Sequence, residues 1–543
     1  MGVTDPVRSA LPDDVSERVD DFESVALLGA VLVVALVVRL RALTAESLWM
    51  DEVYSITYAT ERSTLAILTE LPLEDPHPPL YYLLLRGWTA VFGASKVATR
   101  SLSVVFGVAA VGLLFALGRR LYDRETATIG AAMLALSGMH LYFSQDTRMY
   151  SLYTALAVAS LYWYVRLVFD GDRSRRTVAG YVAATVLLGY THVFGLFLVL
   201  AQNCYLVVHA LRSERSRATE LLRDWVGLQA VTALLLGPFL AVLGMRLLGY
   251  PPFDSASPTW IPVPEPGLLV DTVARYFEYG WLWDSWAIGF IVASLALAGW
   301  ALFSDADPEH SPTGRLDRLL PSRRATFLLV VLVVPVVVPF VVSLTVEPIY
   351  RAKYTAAASI GLFLLVARGI AELRWTQIGA GRFAVAGLLL LAMAGSVVVL
   401  QGSPQNPQWE GAVEGVERHG EDPHIVVVGG EVPGRFYPTV HVAGGESTTA
   451  VRASEADTVG EVVAERRARG DQVWLLVSEW RTNRSQRRAI SEQLDSRDFW
   501  YDGQLEYFAV WTFRIGNVTE DGSNAENRRP TAVGRADGSL RGG

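Results

Sequence analysis

The chain has 543 residues, of which 51% are hydrophobic, and its mean hydropathy is +0.29. This composition excludes an ordinary soluble protein, and because the final stretches are polar it predicts a polytopic membrane protein with a soluble appendage. The net charge of −8 argues against a nucleic-acid partner, since phosphate contacts require a basic surface.

Residues 1–23 are polar and acidic without the pattern of a signal peptide, which predicts a cytoplasmic tail. The first apolar run, 24–42, is long enough to cross a bilayer.

Asp51 and Glu52 follow it, between Trp49 and Tyr54. Ionisable groups are costly beside a membrane, so this pair is a candidate site. The alternative is a carboxylate pair placed at a helix N-terminus by the helix dipole.

Two shorter apolar segments come next, near 53–70 and 78–93. The first is interrupted by a Glu-Arg pair at 61–62, and the second begins at His77-Pro-Pro and contains Arg86. We interpret both as helices lying along the membrane interface.

Ten further runs are long and apolar enough to span, so about eleven spans are predicted within 24–401. They lie near 97–118, 126–142, 151–169, 178–190, 193–211, 226–248, 285–303, 325–345, 355–372 and 383–401.

Arginine is concentrated in alternate connections between these runs, which predicts a cytoplasmic N-terminus and an extracytoplasmic C-terminal domain. Counting 78–93 as a span would place the arginine-rich loops outside, which supports the interfacial interpretation. The predicted inner arginines are Arg119, Arg120, Arg124, Arg173, Arg175, Arg176, Arg212, Arg215, Arg217, Arg223, Arg315, Arg318, Arg323, Arg324, Arg374 and Arg382.

The outward loop Ser144-Gln-Asp-Thr-Arg-Met-Tyr150 contains Asp146 and Arg148. A helix starting here would direct Asp146 and Tyr150 the same way, because they are one turn apart. The alternative is that Ser144 caps a helix that begins near 150, with Asp146 in its first turn.

Another outward loop, Tyr350-Arg-Ala-Lys-Tyr354, contains one of only two lysines in the chain. Arg351 and Lys353 between Tyr350 and Tyr354 suit a lipid phosphate at headgroup depth, although snorkelling anchors have the same composition.

His77 and His192 could contact a sugar or a metal, or cap a helix. A divalent cation is possible, but no short metal-ligand spacing occurs, so metal is left unassigned.

Residues 402–515 predict a small α/β domain, with strands at 425–429 and 472–478 and helices at 456–469 and 484–495. Gly429-Gly430 indicates a turn rather than a nucleotide site, because no Gly-x-Gly-x-x-Gly pattern follows. The segment 516–543 has the composition of a disordered tail.

Five motifs occur in an order that resembles the GT-C membrane glycosyltransferases, in particular the prokaryotic branch related to protein O-mannosyltransferases and lipid A aminoarabinose transferases. They are Asp51-Glu52, His77-Pro-Pro-Leu-Tyr-Tyr82, Arg100-Ser-Leu-Ser103, Ser144–Tyr150 and Tyr350–Tyr354. The resemblance covers roughly 24–400, and Gln408-Trp409-Glu410 extends it to the start of the C-terminal domain.

The resemblance implies a mainly α, polytopic GT-C fold, and transfer of a hexose such as mannose from a dolichyl or other polyprenyl phosphate. The acceptor would be a lipid- or protein-linked glycan on the outer face, as in N-glycosylation. Asp51 would be the general base, and Asp146 would be a second acidic residue of the site. Glu52 would orient Asp51, hydrogen-bond the acceptor or help to hold a metal. Arg148, Tyr350, Arg351, Lys353, Tyr354 and His77 would bind donor phosphate or substrate.

A transporter or flippase of polyprenyl-linked saccharides is the alternative. It predicts charges in mid-span and inverted repeats, and the sequence shows neither, since the acidic residues cluster in loops. A non-catalytic scaffold would leave Asp51 and Asp146 replaceable.

Overall fold

The structure is a computed structural model, and it divides the chain into two compact units. The helical unit comprises Met1–Leu43 and Tyr58–Gly402, and the α/β unit comprises Thr44–Thr57 and Ser403–Gly543. The described residues are 13–74, 77–250, 261–277, 285–304, 320–373, 380–419, 423–429, 448–479, 481–497, 499–507 and 509–517. Outside them lie the start of the predicted N-terminal tail, the predicted inner Arg315, Arg318 and Arg374, Gly430, and 518–543 of the predicted disordered tail.

The described part of the helical unit is built mainly from helices. Its helices are α1 (Asp13–Leu40), α3 (Thr64–Thr69), α4 (Leu71–Glu74), α5 (Leu80–Phe92), α6 (Lys96–Leu121), α7 (Arg124–Leu136), α8 (Gly138–Ser144), α9 (Tyr150–Val168), α10 (Arg175–Gly189), α11 (Gly195–Leu211), α12 (Arg215–Leu247), α13 (Gly267–Phe277), α14 (Ser285–Ser304), α15 (Arg323–Thr345), α16 (Ala358–Ala371) and α17 (Ala380–Gly402). Helix α2 (Met50–Glu61) begins in residues of the α/β unit.

Each of the eleven predicted spans is helical in the structure, which confirms a mainly α, multi-pass fold. Six helices of the described chain are long and apolar enough to cross a membrane alone, and α7 with α8 makes a seventh if this bent pair is one span. Three of the remaining spans are the shorter apolar helices Gly195–Leu211, Ile288–Ser304 and Ala358–Ala371, whereas the predicted span 178–190, in α10, is in neither group. The predicted segment 53–70 is not one helix, because α2 ends at Glu61 and α3 is capped separately by Ser63.

The break between α7 and α8 bends the predicted span by 59°. Arg39 of α1 satisfies the carbonyl groups that the break releases, donating to Leu134 at 3.3 Å and Ala135 at 2.9 Å. Its Nε also donates to Ser144 Oγ at 3.1 Å. A buried arginine therefore stabilises the point at which α8 turns toward the next connection.

Helix α16 is deeply buried, with nearly every residue inaccessible to solvent. It follows a short 3₁₀ turn, Ala352–Thr355, which includes Lys353 and Tyr354. The core of the unit therefore fixes the position of this predicted site loop.

The α/β unit contains a five-stranded sheet of order β2-β1-β3-β5-β4, with β1, β2 and β3 parallel and β4 and β5 antiparallel to their neighbours. Its strands are β1 (Pro423–Val428), β2 (Thr448–Val451), β3 (Gln472–Ser478), β4 (Phe499–Tyr507) and β5 (Val510–Asn517). Its other helices are α18 (Trp409–His419), α19 (Val459–Ala468) and α20 (Arg484–Asp495).

The predicted strands and helices of this unit correspond to β1, β3, α19 and α20. Gly429 follows β1 at a φ of +69°, a conformation that suits glycine in a turn. Helix α18, strand β2 and the hairpin of β4 and β5 were not predicted, and β5 continues to Asn517.

A candidate donor-phosphate site in the helical unit

Asp146 and Arg148 lie in the connection between α8 and α9, and both are buried. The Arg148 N–H donates to the Asp146 carbonyl at 2.8 Å, and the Thr147 hydroxyl bonds to that of Thr99 at 3.2 Å. The prediction that Ser144 caps the following helix is wrong, because Ser144 ends α8 and Met149 holds the N-cap position of α9. The alternative of a helix starting at 144 is also wrong, because α9 begins at Tyr150.

Arg148 joins three of the motifs that carried the family resemblance. Its guanidinium donates to the Tyr82 hydroxyl of α5 at 3.3 Å, and its carbonyl accepts from the Ser103 hydroxyl of α6 at 3.3 Å. Tyr81 bonds to Ser103 at 3.2 Å. Side chains that are distant in sequence therefore hold this arginine in one buried position.

His77 lies against His192, with their ring centroids 6.0 Å apart. The two turns are joined through the backbone, because the Leu80 N–H donates to the Tyr190 carbonyl at 3.2 Å. The N-cap position of α5 is held by Pro79 and not by His77. The capping alternative for His77 is therefore wrong.

His192 occupies the turn between α10 and α11 and is 1% exposed. Aromatic rings surround it at centroid distances of 5.1 to 5.8 Å, contributed by Tyr150, Tyr153, Phe194 and Tyr354. Its Nδ1 accepts the Phe194 N–H at 3.2 Å, so this histidine also stabilises the start of α11.

The chemical state of His192 follows from these surroundings. Burial lowers its pKa well below the ordinary value, and the neighbouring His77, Arg148 and Lys353 lower it further. The ring is therefore neutral at pH 7, and because Nδ1 accepts a hydrogen bond, Nε2 carries the proton. Nε2 is buried without a hydrogen-bond acceptor among the residues that the structure describes.

Lys353 and Tyr354 join this cluster from the loop before α16. The Lys353 ammonium lies 5.3 Å from the Tyr150 ring centroid and 5.7 Å from that of Tyr354. The rings of Tyr150 and Tyr354 stack at 6.4 Å. Burial raises the pKa of Tyr354, while the charges of Lys353, Arg148 and Arg351 oppose that rise.

Tyr350, which was also predicted to contact substrate, is 1% exposed. Its hydroxyl bonds to Thr272 of α13 at 2.8 Å, and burial raises its pKa to about 12. Through this hydrogen bond, the Tyr350 side chain attaches the loop to α13. Arg351, the next residue, is partly exposed.

Asp51 and Glu52 belong to the α/β unit, in the first turn of α2. Glu52 is fully buried, and its carboxylate accepts the Trp49 N–H at 2.9 Å. Asp51 is partly exposed, and its carbonyl accepts the Ser55 hydroxyl at 2.9 Å. The helix-terminus alternative thus describes Glu52 well, while the catalytic role of Asp51 stays a prediction.

We define the cationic cluster as Arg148, His192, Arg351 and Lys353 with the rings of Tyr150 and Tyr354. Its positive charge, its aromatic faces and the neutral Nε2–H donor of His192 suit an anion attached to an apolar or sugar group. No three His, Cys, Asp or Glu side chains within the described ranges converge as metal ligands. The sequence left the role of His192 open, and its predicted position in an outward turn was the signal that could have indicated a functional role.

Comparisons with known proteins identify the fold. Residues 76–240 match the family described as dolichyl-phosphate-mannose-protein mannosyltransferase. The crystal structure of ArnT from Cupriavidus metallidurans in the apo state superposes with a TM-score of 0.54 at 12% identity, covering 91% of this chain and 98% of ArnT. For ArnT bound to undecaprenyl phosphate the TM-score is 0.52 at 13% identity, with the same coverage.

Among curated protein sequences, none matches this chain significantly. The archaeal oligosaccharyltransferase AglB from Archaeoglobus fulgidus superposes with a TM-score of 0.47 at 12% identity, covering 92% of this chain and 75% of AglB. At these identities the ArnT structures establish the fold alone. The chain has the GT-C fold, so the resemblance inferred from the motifs is confirmed at that level.

Proposed function

We propose that this protein is a membrane glycosyltransferase that transfers a sugar from a polyprenyl-phosphate donor to an acceptor on the extracytoplasmic face. The observation that carries the proposal is the cationic cluster, in which buried Arg148 and the Lys353 ammonium adjoin stacked tyrosine rings. The family description for 76–240 and the undecaprenyl phosphate bound by ArnT support a donor of this class.

The reaction creates negative charge where the cluster has positive charge. The acceptor hydroxyl attacks the anomeric carbon of the sugar, and the bond between that carbon and the phosphate oxygen breaks. The departing phosphate thereby gains one negative charge, which Arg148, Arg351 and Lys353 stabilise. The His192 Nε2–H adds a neutral donor, which contributes orientation without further charge.

The acceptor hydroxyl loses its proton during the attack, so the reaction needs a base. We assign that role to Asp51, which is the more exposed member of the acidic pair. Glu52 holds the first turn of α2 through Trp49, and in this scheme it positions Asp51. Asp146 is the second acidic residue and binds the sugar hydroxyls or the acceptor.

We further propose that the sugar is a hexose and that mannose is the first candidate, following the family description for 76–240. The acceptor in this proposal is a lipid- or protein-linked glycan, as in N-glycosylation. Because hexoses differ in the orientation of single hydroxyl groups, competition among radiolabelled polyprenyl-phosphate hexoses identifies the sugar directly.

The donor class is tested with membranes that contain the protein and a radiolabelled polyprenyl-phosphate hexose. Lys353→Met removes one phosphate-binding cation, so we expect kcat/KM to fall about 100-fold. Lys96→Met, which replaces the only other lysine, is the matched control and should retain activity. Transfer from a nucleotide sugar alone, or equal activity of the two variants, would contradict the proposal.

A further inference from the structure

The α/β unit contains a segment that is remote from it in sequence. We define the acidic segment as Thr44–Thr57, the part of the unit that precedes residue 403 and includes Asp51 and Glu52. Its apolar side chains Leu48, Val53 and Ile56 are 4%, 2% and 4% exposed. They are buried in one cluster with Trp409, Ala412, Val413, Val416, Ile425, Val427, Trp474, Leu476 and Val510.

This cluster covers one face of the sheet. The alternate strand residues Val426, Val428, Leu475 and Val477 pack on the opposite face against α19 and α20. On the first face, α18 and the acidic segment supply the covering side chains. The core of the C-terminal domain is therefore incomplete without the acidic segment, which is remote from it in sequence.

Polar contacts determine the register of the segment on the domain. The two carboxylate oxygens of Glu46 accept the backbone N–H groups of Gln405 and Asn406, each at 3.1 Å. The Asn406 side chain donates to the Ser47 carbonyl at 3.3 Å, and the Glu410 N–H donates to the Ser47 hydroxyl at 3.3 Å. Hydrogen bonds to a charged group that are partly shielded from water are stronger than neutral ones.

A further contact lies beside the acidic pair. The Arg481 guanidinium, in the connection between β3 and α20, approaches the Met50 sulfur at 2.9 Å. The contacts therefore extend from Glu46 to Ile56 on both sides of Asp51.

We propose that the C-terminal domain is a clamp that positions the acidic segment, and that Glu46 is a positioning residue for Asp51. The domain would thus act in catalysis without contacting the reacting atoms. Small displacements of a catalytic group cost large factors in rate, so a base in a connecting segment requires such support. This inference rests on the proposed function for its catalytic part, and on the packing alone for its structural part.

The structural part is tested by hydrogen exchange on the full-length protein in detergent. Glu46→Ala removes both acceptors, and we expect amides of the acidic segment to exchange at least about tenfold faster than in the wild type. Exchange in α20, which lies on the other face of the sheet, should not change. Glu465→Ala, which removes an exposed carboxylate of the same unit, is the control. Unchanged exchange in the segment of Glu46→Ala would overturn the clamp.

The catalytic part is tested with the same variants in the transfer assay. Glu46→Ala should lower kcat by about 10- to 100-fold with little change in the donor KM, because the base is displaced while the donor site is not altered. Glu46→Gln keeps one acceptor oxygen and should restore part of kcat. Faster exchange with an unchanged kcat would overturn the positioning role. If the wild-type protein were inactive with every polyprenyl-phosphate sugar, the proposed function would be refuted. The hydrogen-exchange measurement would still test whether the C-terminal domain holds the acidic segment in position.

Discussion

The environment of single side chains separates residues that the sequence presents as equivalent. Asp51 and Glu52 are adjacent, yet Glu52 is buried and binds the Trp49 N–H, while Asp51 is partly exposed. Tyr350 and Tyr354 flank the same loop, yet Tyr350 bonds to Thr272 and Tyr354 packs on His192. The residue types were predictable from the motifs, but the division of roles depends on contacts made by distant helices.

His192 is the residue whose importance the structure raises most. A buried neutral donor beside Arg148 and Lys353 can bind an anion without adding charge. We predict that His192→Phe lowers kcat/KM for the polyprenyl-phosphate sugar by about 100-fold, because the substitution removes the Nε2–H hydrogen-bond donor but keeps an aromatic ring.

His192→Gln is the informative companion variant, since its amide nitrogen reaches close to the position of Nε2. It should retain more activity than His192→Phe in the same steady-state assay. Equal loss in both variants, accompanied by equal loss of thermal stability, would show that His192 acts through packing only.

At the level of helices, two glycines of α16 occur where the backbones of neighbouring helices approach it closely. A Cβ at Gly369 would lie 2.0 Å from the Leu297 carbonyl oxygen of α14, and one at Gly361 would lie 2.5 Å from the Leu328 carbonyl oxygen of α15. Small residues allow helix backbones to approach in membranes, where hydrophobic driving force between helices is weak. Helix α16 in turn places Lys353 and Tyr354.

Gly369→Ala should therefore destabilise the protein by about 1–3 kcal/mol, because backbone atoms of α14 must move. The measurement is the thermal unfolding midpoint in detergent. Gly387→Ala in α17 is the matched control, since a Cβ there meets nothing within 4 Å. Equal midpoints for the two variants would contradict the close packing of α14 on α16.

Apolar run length and turn residues were sufficient to predict most elements. The runs at 97–118, 151–169 and 325–345 correspond to α6, α9 and α15, because a bilayer-length apolar segment has few alternatives to a helix. The break at Ser137 was not predictable, since it depends on Arg39, which binds the released carbonyls from another helix. The hairpin of β4 and β5 was missed although its aromatic residues favour strands, because polar residues such as Asp502 and Arg514 interrupt the continuous apolar run that marked β1 and β3.

At the scale of the whole molecule, the orientation of the chain in the membrane is a prediction that can be tested directly. The arginine distribution predicts a cytoplasmic loop between α9 and α10 and an extracytoplasmic C-terminal domain. Replacing Cys204, the chain's single cysteine, with Ser would give a background for site-specific labelling.

In that background, a membrane-impermeant maleimide should label Glu465→Cys in intact cells. Arg175→Cys should react only after the membrane is permeabilised, because Arg175 is one of the predicted inner arginines. The reverse pattern would invert the topology and with it the predicted side of Asp51.

The division of the chain into two units could not be read from the sequence. Hydropathy separates the spans from the C-terminal domain, which was predicted as 402–515, but it does not indicate that 44–57 packs with that domain. The three buried apolar side chains Leu48, Val53 and Ile56 are too few to mark a domain. Contacts in the structure, such as those of Trp409 and Glu46, reveal this association.

The central claim is transfer of a sugar from a polyprenyl phosphate with Asp51 as base. Its most direct test is the rate of transfer from a radiolabelled polyprenyl-phosphate hexose by wild-type and Asp51→Asn protein, with Glu61→Gln in the same helix as control. We predict wild-type and control activity within about twofold, and a loss of about 10²- to 10⁴-fold in Asp51→Asn. Full transfer by Asp51→Asn would contradict the account.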